Sequence, residues 1–331
     1  MVMKLSVKTE DPLEILSSTK PVVEDAKYVF IHQDKLGSLA EKIKERFRQG
    51  LDTQELGFGS AGDLDDDMQL IFVEDVINFC FWPSKGQPKW EVEWPEGGVA
   101  IGGWYGLVAC LKRALAEGVP ILDADYLSNI TDEQARIFFR AKDSIEIPLL
   151  TERINCLQEA GRILREKFDG KFANLVLASN YDAIEVVKSV LDNFPYFRDI
   201  SVLDGREVRL LKRAQICAND LSYVFKGKNK QVANLDELCA YADYKLPQVL
   251  RMFGIFEYEN SLADKIDSMV EVPHDSREEI EIRAATIWAV ELLRQFIGKL
   301  SAGEIDNTIW LISQGIQNES KPYHRTRTIF Y

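Results

Sequence analysis

Histidine is nearly missing from this chain. Its 331 residues hold three, His32, His274 and His324, with no HxH or HxxxH among them. Together with the absence of any Cys/His spacing suited to zinc, this leaves the sequence with no expected metal site. The five cysteines, Cys80, Cys110, Cys156, Cys217 and Cys239, are odd in number, contain no CxxC and sit mostly in apolar runs. That pattern predicts buried, reduced thiols rather than a disulfide frame. No apolar run reaches the roughly 18 residues of a membrane span. The opening MVMKLSVKTEDPLEIL carries acids where a signal peptide needs an apolar core, so a soluble, cytoplasmic protein is expected. A P-loop ending, a Rossmann fingerprint and a GxSxG elbow are all lacking. The glycine-rich stretches Gly57–Gly62 and Gly97–Gly103 therefore read as turns, and no cofactor is expected. Positive charge is in deficit as well: 40 Lys and Arg stand against 53 Asp and Glu, a net charge of −13. Such a chain is repelled by duplex nucleic acid and by anionic lipid. It shows no sign of an obligate protein partner.

What remains is the composition of a globular protein, 46% hydrophobic and 28% charged. The length alone suggests about two domains. However, no repeat, low-complexity tract or Pro/Gly/Ser-rich linker divides the chain. The expectation is one integrated unit over 1–331, with lobes of about 1–145 and 146–331 as the looser division. Helical periodicity dominates. It predicts helices over Lys35–Gln49, Met68–Trp82, Trp104–Glu117, Thr131–Ala141, Leu149–Lys167, Tyr181–Phe194, Arg206–Lys226, Asn234–Ala242, Pro247–Phe253, Ser276–Leu300 and Glu304–Gln314. Thr131 and Gln134 have the spacing of a capping box. Only Lys89–Gly103, where Trp90, Val92 and Trp94 alternate with charges, reads as a β-hairpin. The fold class is mainly α with a small β element. Asp63, Asp65, Asp67 and Glu74 have the spacing of a calcium loop, but Met68 stands where that loop needs glycine. These acids read as a helix N-terminus.

Three segments combine chemistry with burial. Asn78-Phe79-Cys80-Phe81-Trp82-Pro83 is an aromatic cluster holding one amide. It suits either core packing or a wall for a flat heterocycle, with Asn78 at its edge. In Tyr241-Ala242-Asp243-Tyr244-Lys245-Leu246-Pro247, Pro247 suits the first helical position and places Asp243 on a short connection. That carboxylate is either a turn residue or a group that stabilises a cationic transition state. The C-terminal Pro322–Tyr331 segment ends on apolar residues and should dock into the body. Arg325 and Arg327 would go with it and need carboxylate or phosphate partners.

Taken together these segments resemble the queuosine salvage proteins, which are queuosine 5′-phosphate N-glycosylases. The resemblance is carried in order by Val73–Trp82 (VEDVINFCFW), Lys112–Ile121 (KRALAEGVPI), Ile147–Arg153 (IPLLTER) and Phe194–Asp199 (FPYFRD). It continues through Lys212–Ile216 (KRAQI), Tyr241–Leu250 (YADYKLPQVL), Glu279–Arg283 (EIEIR) and the terminal HRTRTIFY. It implies a helical body similar to DNA glycosylases and release of queuine from its mononucleotide. It makes Asp243 the catalytic aspartate, with Tyr241 bordering the base. Asp306, Asn307 and Trp310 would complete the base pocket with Asn78, Phe79 and Trp82, while Lys245, Arg325 or Arg327 would hold the phosphate. Two positions depart from the family pattern: Leu311 replaces an aspartate, and Glu55 lies where a histidine is frequent. The other readings are a non-catalytic binder of queuine or its nucleotide, and a DNA repair glycosylase. The latter would need a basic face that this sequence does not offer.

Overall fold

The computed structural model describes residues 5–6, 10–50, 56–316 and 319–331. Glu55 lies outside them. Among the described residues there are fourteen α-helices and three two-stranded antiparallel strand pairs, so the mainly α expectation holds. No described helix is long and apolar enough to cross a membrane. All five cysteines are buried, and none of them is in a disulfide.

Local chemistry explains most of the helix starts. Asp63 accepts from the Asp66 backbone N–H in a capping box ahead of Leu64–Val76. The acids around it thus serve the positive end of that helix, as the sequence suggests. Thr131 and Ser301 form capping boxes with Gln134 and Glu304. The helix Arg277–Ile297 is capped by Ser276 and stopped by Gly298 in the left-handed region, φ 77°. Its residues from Glu279 to Leu293 are all buried, so the other elements pack around it on every side. The Ile15–Glu24 helix docks there, with Trp288 Nε1 donating to Thr19 Oγ1 at 3.0 Å.

The predicted hairpin forms, pairing Glu91–Glu93 with Ala100–Gly102. Two other pairs were not legible. Val29–Ile31 joins Phe256–Tyr258, and Ile200–Leu203 joins Arg206–Arg209. The second pair corrects the expected Arg206–Lys226 helix, which begins at Lys212. Pro247 occupies the third rather than the first position of Lys245–Met252.

Two further corrections shape the interior. The helix expected over Met68–Trp82 ends at Val76, and Asn78–Pro83 runs on without regular secondary structure, with Cys80 at φ 40°. Two buried arginines hold it there. Arg153 donates to the carbonyls of Ile77, Phe79 and Cys80. Arg213 donates to those of Asp75 and Val76. The helix expected over Asn234–Ala242 reduces to a 3-10 turn at Leu235–Glu237 followed by extended chain. There, side chains take the backbone groups a helix would have used. Gln215 Oε1 accepts from Cys239 N–H, Asp306 Oδ2 from Tyr241 N–H, and Arg283 Nε donates to the Ala242 carbonyl.

Candidate active site

Both of these segments line a cavity of about 340 Å³. Its remaining walls come from the 89–105 region, the Lys212–Val224 helix and the Ala302–Gly315 helix. Nine of the eleven expected site residues line it. Asn78, Phe79 and Trp82 come from the first segment, Tyr241, Asp243 and Lys245 from the second, and Asp306, Asn307 and Trp310 from the Ala302–Gly315 helix. Arg325 and Arg327 are not brought there. Arg325 donates to the Pro83 carbonyl, and Arg327 pairs with Glu271 and Ser84. Their guanidinium carbons lie 5.7 and 4.6 Å from the Trp82 ring, backing that residue. The terminal segment does dock, as expected: Tyr331 is buried and its carbonyl accepts from Cys80 N–H at 2.8 Å.

Asp243 serves as a cap and also presents free carboxylate. Its Oδ1 accepts from the backbone N–H groups of Lys245 and Leu246 at 2.7 and 2.9 Å, an arrangement that starts the following helix. Among the described residues no hydrogen bond takes up Oδ2. The side chain is 8% exposed, and burial raises its pKa above the ordinary carboxylate range, with Lys212 and the two N–H bonds opposing. Lys212, which sequence reasoning did not single out, is itself buried. Its Nζ lies 3.4 Å from the Asn78 carbonyl, and burial lowers its pKa while Asp243 and Asp75 hold it up. The surrounding run, Leu210–Ala218, also holds Arg213 and Gln215, so nothing local sets Lys212 apart. Asp220 was also missed; it lines the cavity beside Asp75 and Glu74, and burial pushes it up to about 7.

Asp306 follows the same logic. One oxygen accepts from Tyr241 N–H at 2.7 Å, and burial together with Asp243 pushes its pKa well up. The approach of its helix to Tyr241 depends on Gly303, where a Cβ would lie 2.6 Å from the Tyr241 hydroxyl. On that helix Asp306, Asn307, Trp310 and Gln314 face the cavity, and Leu311 does not. The departure at Leu311 therefore removes no group from the wall. Trp310 packs on Tyr105 with ring centroids 5.5 Å apart. Trp82 Nε1 and the Tyr241 hydroxyl are buried without a partner among the described residues, leaving polar atoms beside aromatic walls.

The buried acids beneath the floor set a pH dependence. Burial raises Glu74 from 4.5 to about 8. A carboxyl whose folded-state pKa is raised contributes stability at low pH and loses it as pH rises through the folded value. Glu74→Gln, which cannot ionise, should therefore gain thermal stability relative to wild type as pH rises from about 5 to 8, with no further gain above. Thermal unfolding of both proteins across that range checks it; a constant difference would refute it.

Elsewhere, His274, Asp275 and Glu279 bring potential metal-ligand atoms within 4.8 Å of one another. Asp275 approaches Nε2 and Glu279 approaches Nδ1, at 3.6 and 3.8 Å. Carboxylates at opposite ring nitrogens form an ion-pair arrangement rather than one coordination sphere.

Flat aromatic walls, polar atoms at their edges and a buried carboxylate beside a buried ammonium define a protein that encloses a small heterocyclic molecule. The comparisons narrow that class. The family model described as queuosine salvage protein matches residues 60–331. A protein of Sphaerobacter thermophilus is 40% identical over 327 residues, covering 97% of this chain and 98% of its own length. Relatives from Bos taurus and Mus musculus are 32% and 31% identical, covering 95% and 97% of this chain and 97% and 99% of their own. All three are named queuosine 5′-phosphate N-glycosylase/hydrolase. The chain belongs to the queuosine salvage protein family.

Proposed function

We propose that this chain hydrolyses the N-glycosidic bond of queuosine 5′-phosphate and releases queuine, and that Asp243 carries the reaction. The observation that carries the reading is the Asp243 carboxylate, fixed through Oδ1 with Oδ2 unclaimed, on the wall of an aromatic cavity. Cleavage passes through an oxocarbenium-like state, and a fixed carboxylate stabilises its positive charge in a site that excludes water. Asp243 does this electrostatically, by attack on C1′, or by orienting the water whose oxygen ends on C1′. The departing deazapurine has no basic ring nitrogen at its seven position. Donors around its edge must spread the charge it takes with the bonding pair; Asn78, Asn307, Trp82 Nε1 and the Tyr241 hydroxyl supply them. Asp306, with one oxygen committed to Tyr241, has the other for the base edge or for the cationic amine of the queuine side chain. The bases of flipped nucleotides are enclosed in the same way by aromatic walls.

Lys245 and Lys89 hold the 5′-phosphate in this reading. Both line the cavity, and among the described residues neither ammonium meets a carboxylate within 4.0 Å. Lys245 Nζ lies over the Tyr323 ring at 4.8 Å. Arg325 and Arg327 are committed elsewhere and drop out. One integrated unit over 1–331 without cofactor or obligate partner, working in the cytoplasm, belongs to the same reading. The pairing of Val29 with Tyr258 supports the single unit, and five buried cysteines, none in a disulfide, suit the cytoplasm.

Incubation of the purified protein with queuosine 5′-phosphate should release queuine, detected by chromatography and mass. Tight binding with no release would establish the binder instead, and salt-sensitive duplex binding would favour a DNA glycosylase. The phosphate subsite has its own test. Lys245→Met and Lys89→Met should raise KM for the nucleotide about 10–100-fold, the range of a lost charge-assisted hydrogen bond, and barely change KM for the nucleoside. Equal effects on both substrates would exclude a phosphate role.

A further inference from the structure

Arg283 lies within the long central helix with no exposed surface, and it does not itself line the cavity. Its guanidinium nevertheless joins the two segments that carry the reactive charges. Nη1 and Nη2 donate to Oδ1 and Oδ2 of Asp199 at 2.8 and 2.6 Å, and Nε donates to the Ala242 carbonyl at 3.1 Å. Ala242 immediately precedes Asp243. Asp199 Oδ2 also accepts from the Lys212 backbone N–H at 3.0 Å, at the first residue of the helix that carries the buried ammonium. One planar fork therefore reaches Asp243 on one side and, through one carboxylate, Lys212 on the other. The Tyr331 ring covers the guanidinium at 4.3 Å and itself lines the cavity.

Both backbone bonds of this charge pair fall at positions that adjoin the reactive charges, Ala242 before Asp243 and the amide of Lys212 itself. We propose that Arg283 and Asp199 form a positioning pair for the glycosidic reaction, setting the separation of the Asp243 carboxylate and the Lys212 ammonium at the cavity wall. The proposal rests on the reading of Asp243 given above. Lysine cannot replace the arginine, because a single ammonium cannot bond both carboxylate oxygens and the Ala242 carbonyl in one plane. The groups facing Asp243 are Lys212 from its helix, Lys245 and Tyr244 from its own segment, and Asp306 from the opposite helix. Those facing Arg283 are Asp199, Glu279, His324 and Tyr331.

The test uses Arg283→Lys and Asp199→Asn in the full-length protein. Leu164→Ala, a buried position away from the cavity, matches them for lost stability, and Asp243→Asn tests the underlying reading. With queuosine 5′-phosphate, Arg283→Lys and Asp199→Asn should each lose about 10–100-fold in kcat, with KM within about threefold, as expected for groups misplaced by about 1 Å. The acid limb of their kcat profile should move to higher pH, because Asp243 loses the ammonium that favours its ionised form. Leu164→Ala should keep both kcat and the acid limb. An unmoved acid limb, or a kcat loss equalled by Leu164→Ala, overturns the proposal. Failure of both variants to fold overturns it too, by assigning the pair to folding. Undiminished turnover by Asp243→Asn would instead defeat the reading of Asp243.

Discussion

Asp243→Asn should bind the nucleotide and leave it uncleaved. The amide oxygen of asparagine can still accept the Lys245 and Leu246 N–H bonds, so the helix start and the fold persist. What disappears is the negative charge on the unclaimed oxygen. Removing one preorganised stabilising group costs about 10²–10³-fold in kcat, and loss of a full charge facing an oxocarbenium centre belongs at or beyond the upper end. KM should change little, because the charge acts on a centre that becomes positive only in the transition state. Single-turnover release of queuine, with the thermal transition measured alongside, checks both halves. A variant that keeps more than about a tenth of wild-type kcat would remove Asp243 from the chemistry.

Arg153→Met should produce the largest loss of stability of any single change at a residue outside the cavity lining. Arg153 has no exposed surface, and its guanidinium serves the carbonyls of Pro148, Ile77, Phe79 and Cys80. It also lies 4.4 and 5.0 Å from the rings of Phe79 and Phe81. Burial brings its pKa down to about 10, so the charge is carried at a cost that methionine would relieve. Against that relief stand several buried carbonyls left without donors, at about 1–3 kcal/mol each. The carbonyls win, and the net loss should be about 3 kcal/mol or more, read from denaturant unfolding. Because two of those carbonyls, of Phe79 and Cys80, belong to the Asn78–Pro83 wall, KM for the nucleotide should rise as well. Wild-type stability in the variant would mean that the wall holds its path without the guanidinium.

Much of the helical frame was legible because periodicity, capping boxes and the Gly298 stop are local signals. The residues around the cavity were largely legible too, through motifs spread in order along the chain. What was not legible was decided at a distance. Nothing within Met68–Trp82 says that the helix must stop at Val76; Arg153, Arg213 and the Tyr331 carbonyl say it from elsewhere in the chain. Asn234–Ala242 has the pattern of a helix, yet Gln215, Asp306 and Arg283 occupy its backbone groups first. Strands of three or four residues, such as Val29–Ile31 and Phe256–Tyr258, are too short to show alternation. Arg325 and Arg327 looked like phosphate ligands only because Glu271 and Trp82, their actual neighbours, lie far away in sequence. Lys212 was visible only as one of two adjacent cations, and its role depends on Asp243, 31 positions later.

The pairing of Val29 with Tyr258 also bears on the order in which the molecule assembles. The entropy of closing so long a loop grows only with the logarithm of its length, so the pairing takes little from final stability. Rates respond differently, because contacts between distant residues form late and slow the search. The central helix that carries Arg283 receives both the Ile15–Glu24 helix and the Val29–Ile31 strand. Its surroundings are therefore finished only when the two ends of the chain have met. A newly made molecule should acquire its helices early and its turnover last, as the final event of folding.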